Sequence, residues 1–247
     1  MTTPLPSIPD EELVRKAFRF DHEGYQRFLA LEESDRISEF PTDRGPVVVV
    51  DGKKIHSGRD PAREAMRFVR GLNIAEATSL LLYGYGSGYV ARAIAKKTDA
   101  IIFVYEPCLE ALRWGITHGE IPERVVFLTS PIAVKTVLYA QLGAGDRGQL
   151  IPWQPSVRID NGQFVEVRQE LEMAVHRAKI RALTAELRGD GWLNFFLQNL
   201  PRILEGPSLG TFHEAFKGVP AVVCSAGPSL TKQLPLLKTV ADDVLIL

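Results

Sequence analysis

The sequence predicts an α/β protein with two parallel-sheet regions joined by helices. Three observations predict it. Apolar strand-like runs alternate with helix-like segments from Ser79 to Leu142, the order that gives a parallel sheet with right-handed crossovers. Two strand-like runs end in glycine turns that each open a helix: Gly84-Tyr-Gly-Ser-Gly88, and Gly227-Pro228 within Ser225–Leu230. A long amphipathic stretch lies between them. The expected organisation is a Rossmann-like domain over 1–160, with leading helices and a hairpin, then a helical bridge over 161–205. The beginning of a second Rossmann-like domain follows over 206–247.

Each element follows from its residues. From Pro9 to about Ile37 the pattern is helical, with Leu13, Ala17 and Phe18 on one stripe and Tyr25, Phe28 and Leu29 on another. Val47–Val50 and Lys54–His56 flank Asp51-Gly52, a pair that favours positive φ, so a small hairpin is expected. Asp60-Pro61 supplies a cap and a first-turn proline to a helix carrying Ala65, Met66, Val69 and Leu72 and ending near Gly71. Strands follow at Ser79–Tyr83, Ala100–Tyr105 and Val125–Leu128. Helices are expected from about Ser87 to Lys97, Pro107 to Ile116 and Pro131 to Leu142.

Gly143-Ala-Gly145 and Pro152-Trp-Gln-Pro155 break the alternation. Gln163 to Arg188 reads as one amphipathic helix, Gly189-Asp-Gly191 as an interruption, and Trp192 to Leu204 as another helix with Trp192, Phe195, Phe196 and Leu200 in a core. Arg168, Arg177, Lys179, Arg181 and Arg188 interleave with Glu166, Glu170, Glu172 and Glu186 as a solvated face. Glu205–Gly210 connects to Phe212–Phe216 and a buried strand at Ala221–Cys224. Val244–Leu247 reads as a second parallel strand. Two parallel strands and one helix cannot bury their own faces, so the expectation is either a fragment or an end that docks on the first domain.

Composition excludes several classes. Apolar residues make up 45%, ample for a core, and 29 basic against 30 acidic residues offer no global attraction for nucleic acid or an anionic membrane. The two cysteines, Cys108 and Cys224, argue against a disulfide framework, and His22, His56, His118, His176 and His213 lack metal-ligand spacing. No basic-then-apolar leader and no bilayer-length run is present, so the expected address is the cytoplasm.

The chemistry points to the two turns. In Ser225–Leu230, Gly227 lets the backbone approach a ligand and Pro228 suits the first helical position. The amides of Ser229, Leu230 and Thr231 would then face an anion at the positive end of a helix dipole. Gly84, Gly86 and Gly88 follow a strand, and Glu106 closes the next strand about 20 residues later, the placement of a ribose-binding acid. Tyr89 and Val90 stand where the dinucleotide pattern has its last glycine, so S-adenosylmethionine is the cofactor the spacing suits. The alternatives are an inherited turn without ligand, and a Glu106 that caps the helix at Pro107. Asn194 and Asn199 lie on an apolar helix, where their amides either face a nucleotide or bond neighbouring backbone.

Ser225-Ala-Gly-Pro-Ser-Leu230 after Pro220-Ala-Val-Val resembles the signature opening the central domain of the motility-associated factor (Maf) glycosyltransferases. That signature is shared with 6-hydroxymethylpterin diphosphokinase-like proteins. A similar Gly-Pro-Ser-Leu turn occurs in some bacterial sialyltransferases, often with Asn where Ala226 stands. Asp51-Gly-Lys-Lys-Ile-His-Ser-Gly-Arg-Asp-Pro61 with Glu64-Ala65, Gly84–Tyr89, and Trp192-Leu-Asn-Phe-Phe-Leu-Gln-Asn199 resemble the Maf amino-terminal region in the same order. The likeness covers roughly residues 40 to 247.

The resemblance implies transfer of a nonulosonic acid from a CMP-activated donor to Ser or Thr of flagellin or another protein acceptor, with no tightly bound cofactor. The nucleotide would rest on Ser225, Ala226, Gly227, Pro228, Ser229, Leu230 and Asn199. The groups handling the acceptor proton are expected beyond Leu247, which would leave this chain inactive alone, and Gly84–Gly88 falls in an accessory domain. A diphosphokinase for a pterin alcohol and a non-catalytic docking module are the competing readings.

Overall fold

The computed structural model describes residues 8, 10–32, 34–143, 145–160 and 162–247. The expectations placed on Pro9 and Ala144 lie outside them. The chain divides into two units, one ending at Leu187 and the other running from Arg188 to Leu247.

The first unit opens with α1 (Glu11–Ala17) and α2 (His22–Leu29), capped by Asp10 and Asp21, whose carboxylates accept from the Leu13 and Gly24 amides. Next comes an antiparallel sheet in the order β1 (Ile37–Phe40), β2 (Val47–Val50), β3 (Lys53–Lys54). The expected hairpin is its second half, turning at Asp51 (φ 48°) and Gly52 (φ 74°). β1 escapes prediction because Ile37-Ser-Glu-Phe40 is polar at its centre and nowhere fully buried. Ile55 and His56, expected in a strand, leave the sheet and are buried. α3 (Pro61–Arg70) follows, with Asp60 capping the Arg63 amide at 2.8 Å.

The parallel sheet has four strands in the order β6-β5-β4-β7: β4 is Ser79–Tyr83, β5 Ile101–Tyr105, β6 Val125–Leu128 and β7 Gly148–Pro152. The alternating strands and helices therefore do form a Rossmann-like α/β arrangement, with α4 (Tyr89–Ala95), α5 (Leu109–Thr117) and α6 (Pro131–Gln141) as the connecting helices. β7 is an addition to the sequence reading. A glycine and a proline bound this short run, and Pro152, lacking an N–H, is tolerated because β7 is an edge strand. A short helix, α7 (Gln154–Val157), follows it.

Period-two alternation along the strands makes two cores. Leu80, Leu82, Ile102, Val104, Val125 and Phe127 face one layer with Phe18, just after α1, and residues of α1, α2, α4 and α5, including Val14, Phe28, Ile94 and Leu112. Leu81, Tyr83, Phe103, Tyr105, Val126 and Leu128 face the other, against Val134 and Leu138 of α6.

α8 (Gln163–Glu205) starts at the Asp160 carboxylate, which accepts from the Gln163 and Phe164 amides, and packs Val167, Leu171, Ala174 and Ala178 into that second core. It runs on unbroken through Gly189-Asp-Gly191, correcting the expected interruption. Each glycine weakens a helix by only about 1 kcal/mol relative to alanine, which does not by itself end one.

The second unit holds the rest of α8, a 3₁₀ turn (Leu209–Phe212), β8 (Ala221–Val222), α9 (Leu230–Val240) and β9 (Leu245–Ile246), with β8 and β9 parallel. None of its described side chains is buried. Trp192, Phe195 and Phe196 are therefore exposed rather than core, and the strand expected to be buried over Ala221–Cys224 is shorter and open, with Val223 80% exposed. Two short strands and one helix cover neither of their own faces, as their size requires.

Candidate functional site

The turn Ser225–Leu230 begins where β8 ends. Cys224 N donates to Leu247 O at 2.7 Å and Leu247 N to Val222 O at 2.9 Å, which carries the parallel pairing to the last residue before the turn. The chain thus leaves the sheet at its carboxyl edge, where ligand crevices of open α/β sheets form. Gly227 N donates to Ser225 O at 2.8 Å and Leu230 N to Gly227 O at 3.0 Å, closing the turn.

Helix α9 starts at Leu230 with Ser229 as its N-cap, so Pro228 stands outside the helix rather than at its first position. The Leu230 amide, expected to be free, is engaged. The Ser229 and Thr231 amides have no acceptor among the described residues, and the Ser229 hydroxyl makes no capping bond. Ser225, Ala226, Pro228 and Ser229 are exposed, Gly227 and Leu230 half-buried. Gly227 does not adopt positive φ, and a Cβ there would meet nothing nearer than Ser229 Oγ at 3.9 Å. Its backbone is open from the protein side.

The turn Gly84–Gly88 is the opposite case. Gly84 (φ 99°), Gly86 (φ 51°) and Gly88 (φ 76°) all need left-handed backbone. A Cβ at Gly84 would lie 2.3 Å from Ser156 Cβ, and one at Gly86 2.6 Å from Ile55 Cγ2. The whole turn is buried. Four of its five amides are taken: Gly84 N donates to Tyr105 O and Gly88 N to Tyr85 O, and Glu106 Oε2 accepts from Tyr85 N at 2.7 Å and Gly86 N at 3.0 Å, while its Oε1 accepts from Cys108 N at 3.1 Å. The Glu106 carboxyl is itself 2% exposed and covers those amides. Burial pushes the Glu106 carboxyl up to about 7 despite the opposing pull of those three amide donors. Helix α5 starts only at Leu109, with Cys108 as its N-cap, so Glu106 closes a local turn ahead of the helix.

Asn199 lies on exposed α8 and its Nδ2 donates to Phe195 O at 2.7 Å, one helical turn back. Of the five histidines, His56 alone is buried, and no three His, Cys, Asp or Glu side chains cluster as a metal site among the described residues. Cys108 and Cys224 are free thiols. No helix among the described residues is long and apolar enough to cross a membrane.

Two features passed unnoticed in the sequence. One is Glu106 as the carboxyl that fills its own glycine turn. The other is a hollow of about 530 Å³ beside the start of α3, where Arg44, Arg59, Arg63 and Arg67 converge. Arg63 and Arg67, four apart on one helix face, were its available signal.

Residues 194–247 match the family model described as 6-hydroxymethylpterin diphosphokinase MptE-like. The match begins within α8 and takes in β8, the Ser225–Leu230 turn, α9 and β9. No curated protein and no solved structure matches the chain significantly.

Proposed function

We propose that the chain carries the donor-phosphate turn of a Maf-type glycosyltransferase, which moves a nonulosonic acid from a CMP-activated donor onto a serine or threonine of flagellin or another protein. The observation that carries this reading is the solvent-open turn Ser225–Leu230, with the unengaged amides of Ser229 and Thr231, inside the family-matched stretch. Support also comes from the ordered upstream likenesses at Asp51–Pro61, Gly84–Tyr89 and Trp192–Asn199.

In the reaction the bond between the sugar's anomeric carbon and the phosphate oxygen breaks, and CMP departs with that electron pair. The acceptor hydroxyl bonds to the same carbon and gives up its proton. The Ser229 and Thr231 amides and the hydroxyls of Ser225, Ser229 and Thr231 would neutralise charge growing on the departing phosphate. Gly227 leaves room for the nucleotide to reach the backbone. No residue of this chain is assigned as the base, and Asn199, bonded to its own helix, is left a secondary role at the nucleotide.

The family description favours a second reading, diphosphoryl transfer from ATP to a pterin alcohol, in which the same amides would hold a diphosphate. Thermal shift separates the two, because a ligand that binds the folded state raises the melting temperature by mass action. A rise with CMP is expected. A rise with ATP and magnesium but not CMP transfers the assignment to the kinase, and a rise with S-adenosylmethionine alone moves the ligand to Gly84–Gly88. No response to any of them contradicts both nucleotide readings of Ser225–Leu230.

A further inference from the structure

The hollow beside α3 is built by three segments. The loop between β1 and β2 brings Asp43 and Arg44, the stretch after β3 brings Ser57 and Arg59, and the first turns of α3 bring Arg63, Glu64 and Arg67. A volume of about 530 Å³ lies within the ordinary range for small-molecule sites. A second hollow of about 390 Å³ shares Arg63 and Arg67 and adds Arg70.

None of these guanidinium groups makes an ion pair or a side-chain hydrogen bond among the described residues, although Asp43, Asp60 and Glu64 stand near. The acids are partly committed elsewhere. Asp60 Oδ1 accepts from Arg63 N at 2.8 Å, and Glu64 Oε2 from Ser57 N at 2.7 Å. Unengaged forks converging on one concavity are the arrangement that grips phosphoryl oxygens in pairs.

A second observation comes from behind the hollow. The His56 side chain is fully buried, stacked on Trp153 with ring centroids 5.0 Å apart, and neither ring nitrogen has a hydrogen-bond partner. Its Nδ1 faces Glu64 Oε2 at 3.7 Å, too long for a hydrogen bond. The imidazole does not itself line the hollow: it stands behind Glu64, which does, and it backs that carboxylate without saturating it.

We propose that this hollow is a separate binding site for a small hydroxylated molecule bearing a phosphate or diphosphate. Arg44, Arg59, Arg63 and Arg67 hold the anion. Asp43 and Glu64 accept hydrogen bonds from the hydroxyls. The interspersed carboxylates disfavour a long polyanion such as nucleic acid, which would meet them as like charges. The site owes nothing to Ser225–Leu230. It gives a use to the Asp51–Pro61 segment and Glu64, which the donor-phosphate turn leaves idle.

The test is calorimetric titration of the whole chain at low salt with inorganic pyrophosphate and with glucose 1-phosphate. Both should bind. Arg63→Ala/Arg67→Ala should weaken each at least about tenfold, since each lost charge-assisted pair contributes more than a factor of ten. The charge-matched control Arg15→Ala/Arg188→Ala should bind as the parent does, and Gly227→Val should keep the binding event that Arg63→Ala/Arg67→Ala weakens, whatever it loses at Ser225–Leu230. Arg44→Ala, in a surface loop, gives the same reading if the double variant melts early by circular dichroism. Absence of binding by the parent, an equal loss in the control, or a loss only in Gly227→Val overturns the proposal. The last outcome would assign the anion to Ser225–Leu230 and leave the transferase reading standing.

Discussion

Two glycine turns that look alike in sequence are opposites in space. At Gly84–Gly88 the backbone is left-handed at all three glycines, side chains crowd the places where Cβ atoms would go, and Glu106 already occupies the amides. At Ser225–Leu230 the glycine has an ordinary backbone, empty space around it and two amides with nothing to bind. Glycine is required in the first turn by the protein's own packing. In the second only something from outside can require it. The difference teaches that a glycine-rich strand-to-helix turn signals a site for an acceptor oxygen, and that the acceptor can be a carboxyl of the chain itself.

The comparison breaks first at Gly84. Gly84→Ala puts a Cβ into Ser156 on a left-handed backbone and should destabilise the protein by about 3 kcal/mol or more, read as the shift in urea midpoint. A cost below about 1 kcal/mol would show the turn to be looser than its packing implies. Glu106→Ala comes next. It strands the three amides of Tyr85, Gly86 and Cys108 in a closed interior, with an expected loss of about 2 to 3 kcal/mol.

The acidity of Glu106 sharpens the same contrast. Burial raises its carboxyl from an ordinary 4.5 to about 7, so between these values the folded protein keeps a proton that the unfolded chain has released. The sign follows from linkage: this contribution to stability is full below pH 4.5 and is lost as pH rises through 7. Glu106→Gln cannot titrate. Its stability should therefore vary less than the parent's between those limits in urea titrations across the range, and parallel profiles would contradict the assignment.

The smallest effect on folding belongs to Gly227. Gly227→Val meets open space and normal φ, so stability should change by only about 0.5 kcal/mol. CMP affinity should nevertheless fall at least about tenfold, because a branched side chain occupies the nucleotide's approach. Unchanged affinity in the folded variant removes Gly227 from the site.

How much of this was legible in the sequence differs between the two units. In the first, β4 and β6 appear at the predicted residues and α3 begins where Asp60-Pro61 places it, because apolar runs and caps are local signals. β1 and β7 were invisible, since Ile37–Phe40 and Gly148–Pro152 become strands only through a neighbour that supplies hydrogen bonds. The filling of the Gly84 turn was likewise unreadable, because Ser156 and Ile55 reach it from far along the chain.

In the second unit, local chemistry correctly put a strand, a turn and a helix around Gly227 but misjudged burial. Apolar letters such as Val223, Phe195 and Phe196 predict a core only if something covers them, and in this unit nothing described does. Asn199 shows the same limit on a small scale. A polar amide on an apolar helix needed a partner, and the carbonyl of Phe195 one turn back was sufficient.

The most direct test follows backbone amides by nuclear magnetic resonance while CMP is added to the isotope-labelled chain. The account predicts that Ser229 and Thr231 shift in a saturable way while Tyr85 and Gly86, held by Glu106, stay still. Movement at Tyr85 and Gly86 with Ser229 and Thr231 unmoved would contradict it, since the turn taken here to be occupied would then be the one that accepts the nucleotide.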